Sequence, residues 1–338
     1  MADNRGRKAF LLCSLLAAPL LLAAQTVSDY ARFTAVATSR RDHRTSIVLR
    51  RFRLDRQTRY LLLDPDSLAT TVESGTDLRV SKEPWDKLKK RFAKSLYFRA
   101  MEDAGTNAGA FQNAGITHFS QTITGVVLTV DLCPSKRPMD RALFTELVRE
   151  FGKEERPVPL AVAVTGVWME SHRPDLEWLR GLEKSGDVSI TWIDHSYNHR
   201  WDKNLPLKEN FLLEKGTDLA GEVLRTEAKM IEEGIVPSVF FRFPGLISDK
   251  SHVLAVMAYG LIPVGSDAWL GKNEQPKEGS IVLVHANGNE PIGIRRFLKL
   301  IREERENIIH KQWLLFDLRE STALEEKKRA PKMNFPAT

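Results

Sequence analysis

Apolar residues follow two different patterns along this chain, and the change falls near Gly125. From there on, short apolar runs at 126–130, 158–164, 188–193, 238–242, 261–265 and 280–284 read as strands. Between them the apolar residues return at helical spacing. Leu143, Leu147 and Phe151 share one face, as do Leu176, Leu179 and Leu182 behind a first-turn Pro174. Further helices are predicted over 219–233, through Val253 and Met257, and over 297–305. Strands that alternate with helices predict an α/β domain with a parallel sheet, and six or seven such units suit a (β/α) barrel or an incomplete one. Before Gly125, residues 25–118 read as an irregular extension. Ile47-Val48-Leu49 and Leu61-Leu62-Leu63 predict two short strands, with a turn at Asp64-Pro65-Asp66. Trp85, Leu88, Phe92 and Leu96 predict one amphipathic helix packed on the main domain. Residues 321–338 are charged, carry Pro331 and Pro336, and predict a disordered tail.

Composition and charge narrow the reading. A chain of 338 residues with 42% hydrophobic residues excludes a disordered or collagen-like protein and can bury a sizeable core. Arg5, Arg7 and Lys8 precede an apolar stretch over 9–24, broken by Ser14 and Pro19. This pattern predicts a secretory signal peptide over 1–24 and a secreted or periplasmic protein. The alternative is a retained segment that tethers the chain to a membrane. Cleavage would remove three positive charges and one negative (Asp3), taking the net charge from +6 to +4, and would leave Cys133 as the one cysteine. No internal disulfide is then expected. No helix-turn-helix, zinc-finger or RNP-type pattern accompanies the basic charge, so no nucleic-acid partner is expected. Eight arginines lie between Arg40 and Arg59. They suit either a solvated small sheet or docking to an anionic envelope surface.

Candidate chemistry gathers at the predicted strand ends, where parallel α/β folds place their sites. Asp131, Arg242, Asp267 and His285 each sit at or just past an apolar run, and His195 and His199 follow another. Histidines four apart can share one cation, although zinc usually takes three protein ligands and a water. Asn287 and Asn289, in an amide-rich turn beyond His285, suit either sugar binding or a plain Asn-Gly turn. Trp192, Trp201 and Trp269 suit sugar stacking or core packing.

In order and spacing these residues resemble the polysaccharide deacetylase family (carbohydrate esterase family 4, NodB homology domain) over about 125–304. Thr129-Val130-Asp131-Leu132-Cys133-Pro134 resembles its T-F-D-D-G-P motif, and His195-Ser196-Tyr197-Asn198-His199 its H-[ST]-x-x-H motif. Arg242-Phe243-Pro244 resembles R-x-P. Asp267-Ala268-Trp269 resembles its Asp near a Trp, and Leu283-Val284-His285 its L-x-H. The resemblance implies a distorted (β/α) barrel over 119–320 that removes N-acetyl groups from an amino-sugar polysaccharide such as peptidoglycan or chitin. Asp131 would be the base, His285 the acid, and Arg242 the partner of Asp131. Asp267 would tune His285, while Trp269 and Asn287 would bind substrate. His195 and His199 would hold a divalent metal, with zinc the expected ion.

Three positions depart from the family pattern. Leu132 stands where the family has a metal-binding aspartate, so the ligand set is incomplete: Asp131, Asp194 or another carboxylate completes it, two histidines and waters hold a metal weakly, or the site works or sits idle without metal. Gly245 stands where an aromatic often follows R-x-P and is expected to open the groove. Cys133 replaces a glycine and reads as a small buried residue rather than a nucleophile. Two rival functions stay open: a non-catalytic envelope glycan-binding protein on the same fold, and a metal-independent amidase acting on a small molecule.

Overall fold

The computed structural model describes residues 26–119 and 124–329. The segment expected to be a signal peptide, 1–24, lies outside the described residues, as does the tail beyond 329. Among the described residues no helix is long and apolar enough to cross a membrane.

The N-terminal region is ordered where the sequence predicted irregularity. β1 (Val27–Ser39), β2 (Thr45–Leu54), β3 (Gln57–Leu63), β4 (Thr70–Ser74) and β5 (Leu78–Lys82) form an antiparallel sheet in the order β4-β3-β2-β1-β5. The β2–β3 hairpin turns at Asp55 and Arg56, both with positive φ, and Leu54 faces Gln57. This is the geometry that two-residue hairpins favour. Asp64-Pro65-Asp66 instead leads from β3 toward β4. The predicted single helix is two, α1 (Trp85–Arg91) and α2 (Leu96–Gly105). They separate because Ser95 adopts an extended backbone and its side chain accepts from the Phe98 N–H, capping a new helix.

The main domain runs β6 (Gly125–Leu132), α3 (Arg141–Phe151), β7 (Val158–Val164), α4 (Gly166–Ser171), α5 (Arg173–Lys184), β8 (Val188–Asp194), α6 (Leu219–Glu232), β9 (Phe240–Phe241) and α7 (Lys250–Ala258). It continues through β10 (Ile262–Pro263), β11 (Ala268–Trp269), β12 (Ile281–His285), α8 (Pro291–Glu303), α9 (Arg305–Ile309), β13 (Leu314–Leu315) and α10 (Leu318–Arg329). The strands pair in parallel in the order β10-β9-β8-β7-β6-β12-β11. Each strand from β6 to β10 neighbours the next, and β12 returns beside β6. That is the circular order of a (β/α) barrel with one seam, between β10 and β11. Residues 116–119 lie along the seam: Ile116 donates to the Pro263 carbonyl (3.0 Å), Gly265 donates to Ile116 (2.8 Å) and Phe119 donates to Gly279 (2.9 Å). The extension thus lines a gap that the barrel strands leave open.

Side chains alternate between two cores with the period of two that a pleated strand imposes. Leu128, Val130, Leu132, Leu160, Val162, Ile190, Trp192, Val282 and Val284 pack outward under the helices. Val127, Ala161, Ala163, Ile193 and Ile281 face inward, where they meet α2 and the inner face of the small sheet at Ile47, Leu49 and Leu63. β13 docks on β6 beside Gly125, whose φ is +140; a Cβ there would lie 1.9 Å from the Leu314 carbonyl oxygen. Residues 321–329, predicted as disordered tail, belong to α10. This helix is anchored by Leu318, Ser321 and Thr322, all buried, and by Glu326, which pairs with Arg99 at 3.2 Å.

Candidate active site

The inward parity of the strands builds the site. Asp131 and His285 are register partners on the adjacent strands β6 and β12, so their side chains emerge side by side at the carboxyl ends. His195 follows β8 on the same parity, and Arg242 follows β9. Arg242 is wholly buried, and its guanidinium donates to Asp131 Oδ1 (2.8 Å), Thr129 Oγ1 (2.7 Å) and the Gly265 carbonyl (2.8 Å). Asp131 Oδ2 is left facing the groove, 3.6 Å from His195 Nε2. Burial opposes ionisation of Asp131, but Arg242, then His195 and His285, outweigh it and hold its carboxyl below the usual range.

His285 is gripped from behind. Its Nδ1 lies 3.0 Å from Glu290 Oε2, which also accepts from Trp269 Nε1 at 2.9 Å. Nε2 is then the nitrogen available to the groove. Burial would lower the pKa of His285, but Cys133 and Glu290, with Asp131, raise it to about 10. A buried carboxyl shifted toward its anion and a part-buried imidazole shifted toward its cation therefore stand next to each other.

The two histidines of the 195–199 turn are held by different means. His195 Nδ1 meets the Arg242 carbonyl at 2.8 Å, so that nitrogen carries a proton and Nε2 is the one turned toward Asp131 and Cys133. His199 has a φ of +46, and its Nε2 is buried without a hydrogen-bond partner. Glu222 of α6 pins the turn by accepting from the backbone N–H of Tyr197 (2.9 Å) and of Asn198 (2.8 Å). Cys133 Sγ sits 3.5 Å from His195 Nε2. Single donor atoms of Cys133, His195 and His199 lie within 4.8 Å of one another, as do those of Asp131, Cys133 and His285. Two imidazole nitrogens and a sulfur in this arrangement suit a divalent ion. Asp194 does not complete this set. It is buried near Glu227 and Arg50, its Oδ1 accepts from Ser196 N–H, and burial first, then Glu227, push its carboxyl well above the usual range.

A groove of about 480 Å³ opens over these groups, lined by His199, Trp201, Phe211, Trp269, His285 and Asn289 among others. Trp201 is 61% exposed at its edge, whereas Trp192 is core. Trp269 faces His285 with ring centroids 5.3 Å apart.

Three expectations need correction. Asp267 does not reach His285: it binds His118 Nδ1 (2.8 Å), Ser280 Oγ (3.2 Å) and Ile281 N–H (3.0 Å), at the opposite end of β12. It precedes β11, which runs parallel to β12, so it falls at the amino ends of the strands; Glu290 holds His285 instead. Asn287 is 1% exposed, and its amide is engaged at both ends, Nδ2 donating to the Cys133 carbonyl (3.1 Å) and Oδ1 accepting from Asn289 N–H (3.1 Å). It fixes the loop rather than offering itself to a substrate. Gly245 does not widen the groove, because the Phe211 ring fills the space, 2.5 Å from where a Cβ on Gly245 would sit.

Sequence reasoning missed Glu290, Glu222 and Phe211 as parts of the site. Glu290 lies one turn past His285 and was within reach of a local reading. Glu222 and Phe211 arrive from segments with no local signal.

No family model matches the chain. Among solved structures, it is similar to the Bc1960 peptidoglycan N-acetylglucosamine deacetylase, at 12% identity over 62% of this chain and 92% of that one, with a TM-score of 0.46. It is similar to a family 4 carbohydrate esterase from Streptomyces lividans in complex with acetate, at 20% identity over 56% and 91%, with a TM-score of 0.38. It is also similar to BA3943, a pseudoenzyme of that family from Bacillus anthracis, at 13% identity over 61% and 68%, with a TM-score of 0.41. Likenesses this distant say nothing of activity, so the chemistry of this chain has to be read from its own residues.

Proposed function

We propose that this protein is an exported hydrolase that removes N-acetyl groups from the amino sugars of an envelope glycan. The observation that carries the reading is the juxtaposition of Asp131 and His285, register partners with opposite charges and separate supports. A binding protein has no need of a base set beside an acid. Asp131 Oδ2, free of Arg242, is placed to take a proton from an attacking water. His285, shifted toward its protonated form by Cys133 and Glu290, is placed to give one to the departing amine. Arg242 keeps Asp131 ionised by fixing a positive charge 2.8 Å from Oδ1. Trp201, Phe211 and Trp269 give the groove aromatic faces suited to stacking on sugar rings. A divalent ion held by His195 and His199 would supply polarisation of the acetamide carbonyl and a water of near-neutral pKa.

The test is acetate release from peptidoglycan and from chitin oligomers, before and after chelation. Release that chelator abolishes and zinc restores is the expected result. Release from small amides alone, insensitive to chelator, would replace this reading with a metal-independent amidase. Binding of glycan without release would make the protein a lectin-like relic.

A further inference from the structure

The geometry points to Cys133 as the third protein ligand of the site's cation, completing with His195 and His199 a thiolate and two-imidazole set for a zinc-class ion. The inference rests on the hydrolase reading only in supposing that a cation is used.

The position of Leu132 raised the question of what fills the ligand set. Strand parity answers it. Leu132 is fully buried in the outer core under the helices and cannot reach the groove. Cys133, one residue on, has the parity of Thr129 and Asp131, and its sulfur enters the site. The sulfur lies 3.5 Å from His195 Nε2. A tetrahedral ion with metal–sulfur near 2.3 Å and metal–nitrogen near 2.0 Å sets its sulfur and nitrogen ligands roughly 3.5 Å apart. The structure therefore already holds the pair at the spacing a shared ion requires.

The partners are prepared in the same sense. The Arg242 carbonyl holds His195 Nδ1, so Nε2 is the nitrogen that faces the sulfur. His199 presents a buried Nε2 with no hydrogen bond, a costly arrangement unless something occupies it. Asn287 clamps the Cys133 carbonyl and so sets where the side chain starts. A soft sulfur donor also changes the choice of ion. It favours zinc, cobalt(II) or iron(II) over magnesium or calcium, which prefer all-oxygen sites.

The test is cobalt(II) titration of the metal-free full-length protein, followed by absorption. We expect near-ultraviolet thiolate-to-cobalt charge transfer to saturate at one cobalt per chain. It should vanish in Cys133→Ser. Metal affinity of that variant should fall by more than the ~10–100-fold typical of losing a supporting partner. Cys133→Asp should bind one ion without the band, and Leu132→Asp should leave affinity unchanged. X-ray absorption of the zinc-loaded wild type, which needs no variant, should show one sulfur neighbour near ~2.3 Å. One cobalt bound with no thiolate band, or zinc with only nitrogen and oxygen neighbours, overturns the assignment. Acetate release in such a protein would leave the hydrolase reading standing. A full thiolate band with no acetate released from any N-acetylated glycan would support the ligand set and sink the hydrolase reading instead.

Discussion

Among the described residues, two arginine–carboxylate pairs are fully buried, one where the small sheet meets the barrel and one in the groove, and they are finished differently. Arg50 of β2 meets Glu227 of α6 at both carboxylate oxygens, 2.6 and 2.8 Å, and sends its remaining donors to the Leu49 and Tyr259 carbonyls. Neither carboxylate oxygen is left without a partner. A register shift between Val48 and Arg50 turns the strand so that Arg50 and Phe52 face α6. Arg242 meets Asp131 at Oδ1 alone, reaches Thr129 and Gly265 with its terminal nitrogens, and leaves its buried Nε without a partner. Oδ2 is left over. The first pair is saturated and joins two parts of the fold. The second is left unsaturated, and the spare oxygen is the one aimed at the groove. A buried ion pair thus reads as structure or as chemistry according to whether all its lone pairs are used.

The largest effect should follow from the spare oxygen. In Asp131→Asn the Arg242 contact keeps an acceptor but the base is gone. Acetate release should fall by about 10²–10⁴-fold, the usual contribution of a positioned base, in protein whose circular dichroism shows it folded. Full activity in this variant would remove Asp131 from the mechanism.

Next comes the saturated pair, read out in stability. Glu227→Gln leaves Arg50 charged and fully buried, and should cost about 3–5 kcal/mol of folding stability by denaturant titration. The double change Arg50→Met with Glu227→Leu removes both charges and should recover most of that loss. Activity per folded molecule should stay near wild type in both. A double variant as unstable as the single would mean that the pair is a true source of stability and not a fixed register between the sheet and α6.

Much of this contrast was legible in the chain and much was not. The alternation from Gly125 onward predicted β6, β7, β8 and β12 and the helices α3, α5, α6 and α8, because long runs with one clear period leave little choice. It also put Asp131 and His285 at strand ends, although which strands pair is not in the pattern. The five-stranded sheet was harder, since its strands mix arginines with apolar residues and its order depends on pairings far apart in sequence. Arg50 looks like any other arginine of the basic stretch until Glu227 arrives 177 residues later. What stands in for the ligand missing at Leu132 was left open for a simpler reason. Successive residues of a strand face opposite ways, so the residue beside Asp131 on the groove face is Cys133, and that could have been counted from the sequence. Asp267 misled because an aspartate after an apolar run was taken as the carboxyl end of a strand, when the chain had already crossed to begin the next one.

The smallest expected effect tests whether an unsaturated carboxylate is enough to mark a site. Glu155, in the turn before β7, also has a buried oxygen, Oε2, with no partner, yet it lies far from the groove strand ends. Burial, its largest influence, raises its pKa from 4.5 to about 7. The folded protein therefore holds this proton more tightly than the unfolded chain does. Between about pH 4.5 and 7 the native state binds more protons, so its stability falls as pH rises through that window. Glu155→Gln cannot ionise and should escape the fall. Its melting temperature should match wild type near pH 4 and exceed it above pH 7. The gain should be only about 1–3 °C, because the half-buried side chain is partly screened by solvent. Acetate release should not change. A loss of activity in Glu155→Gln would mean that a spare buried oxygen is not separable from function even here, and the distinction drawn between the two arginine pairs would lose its force.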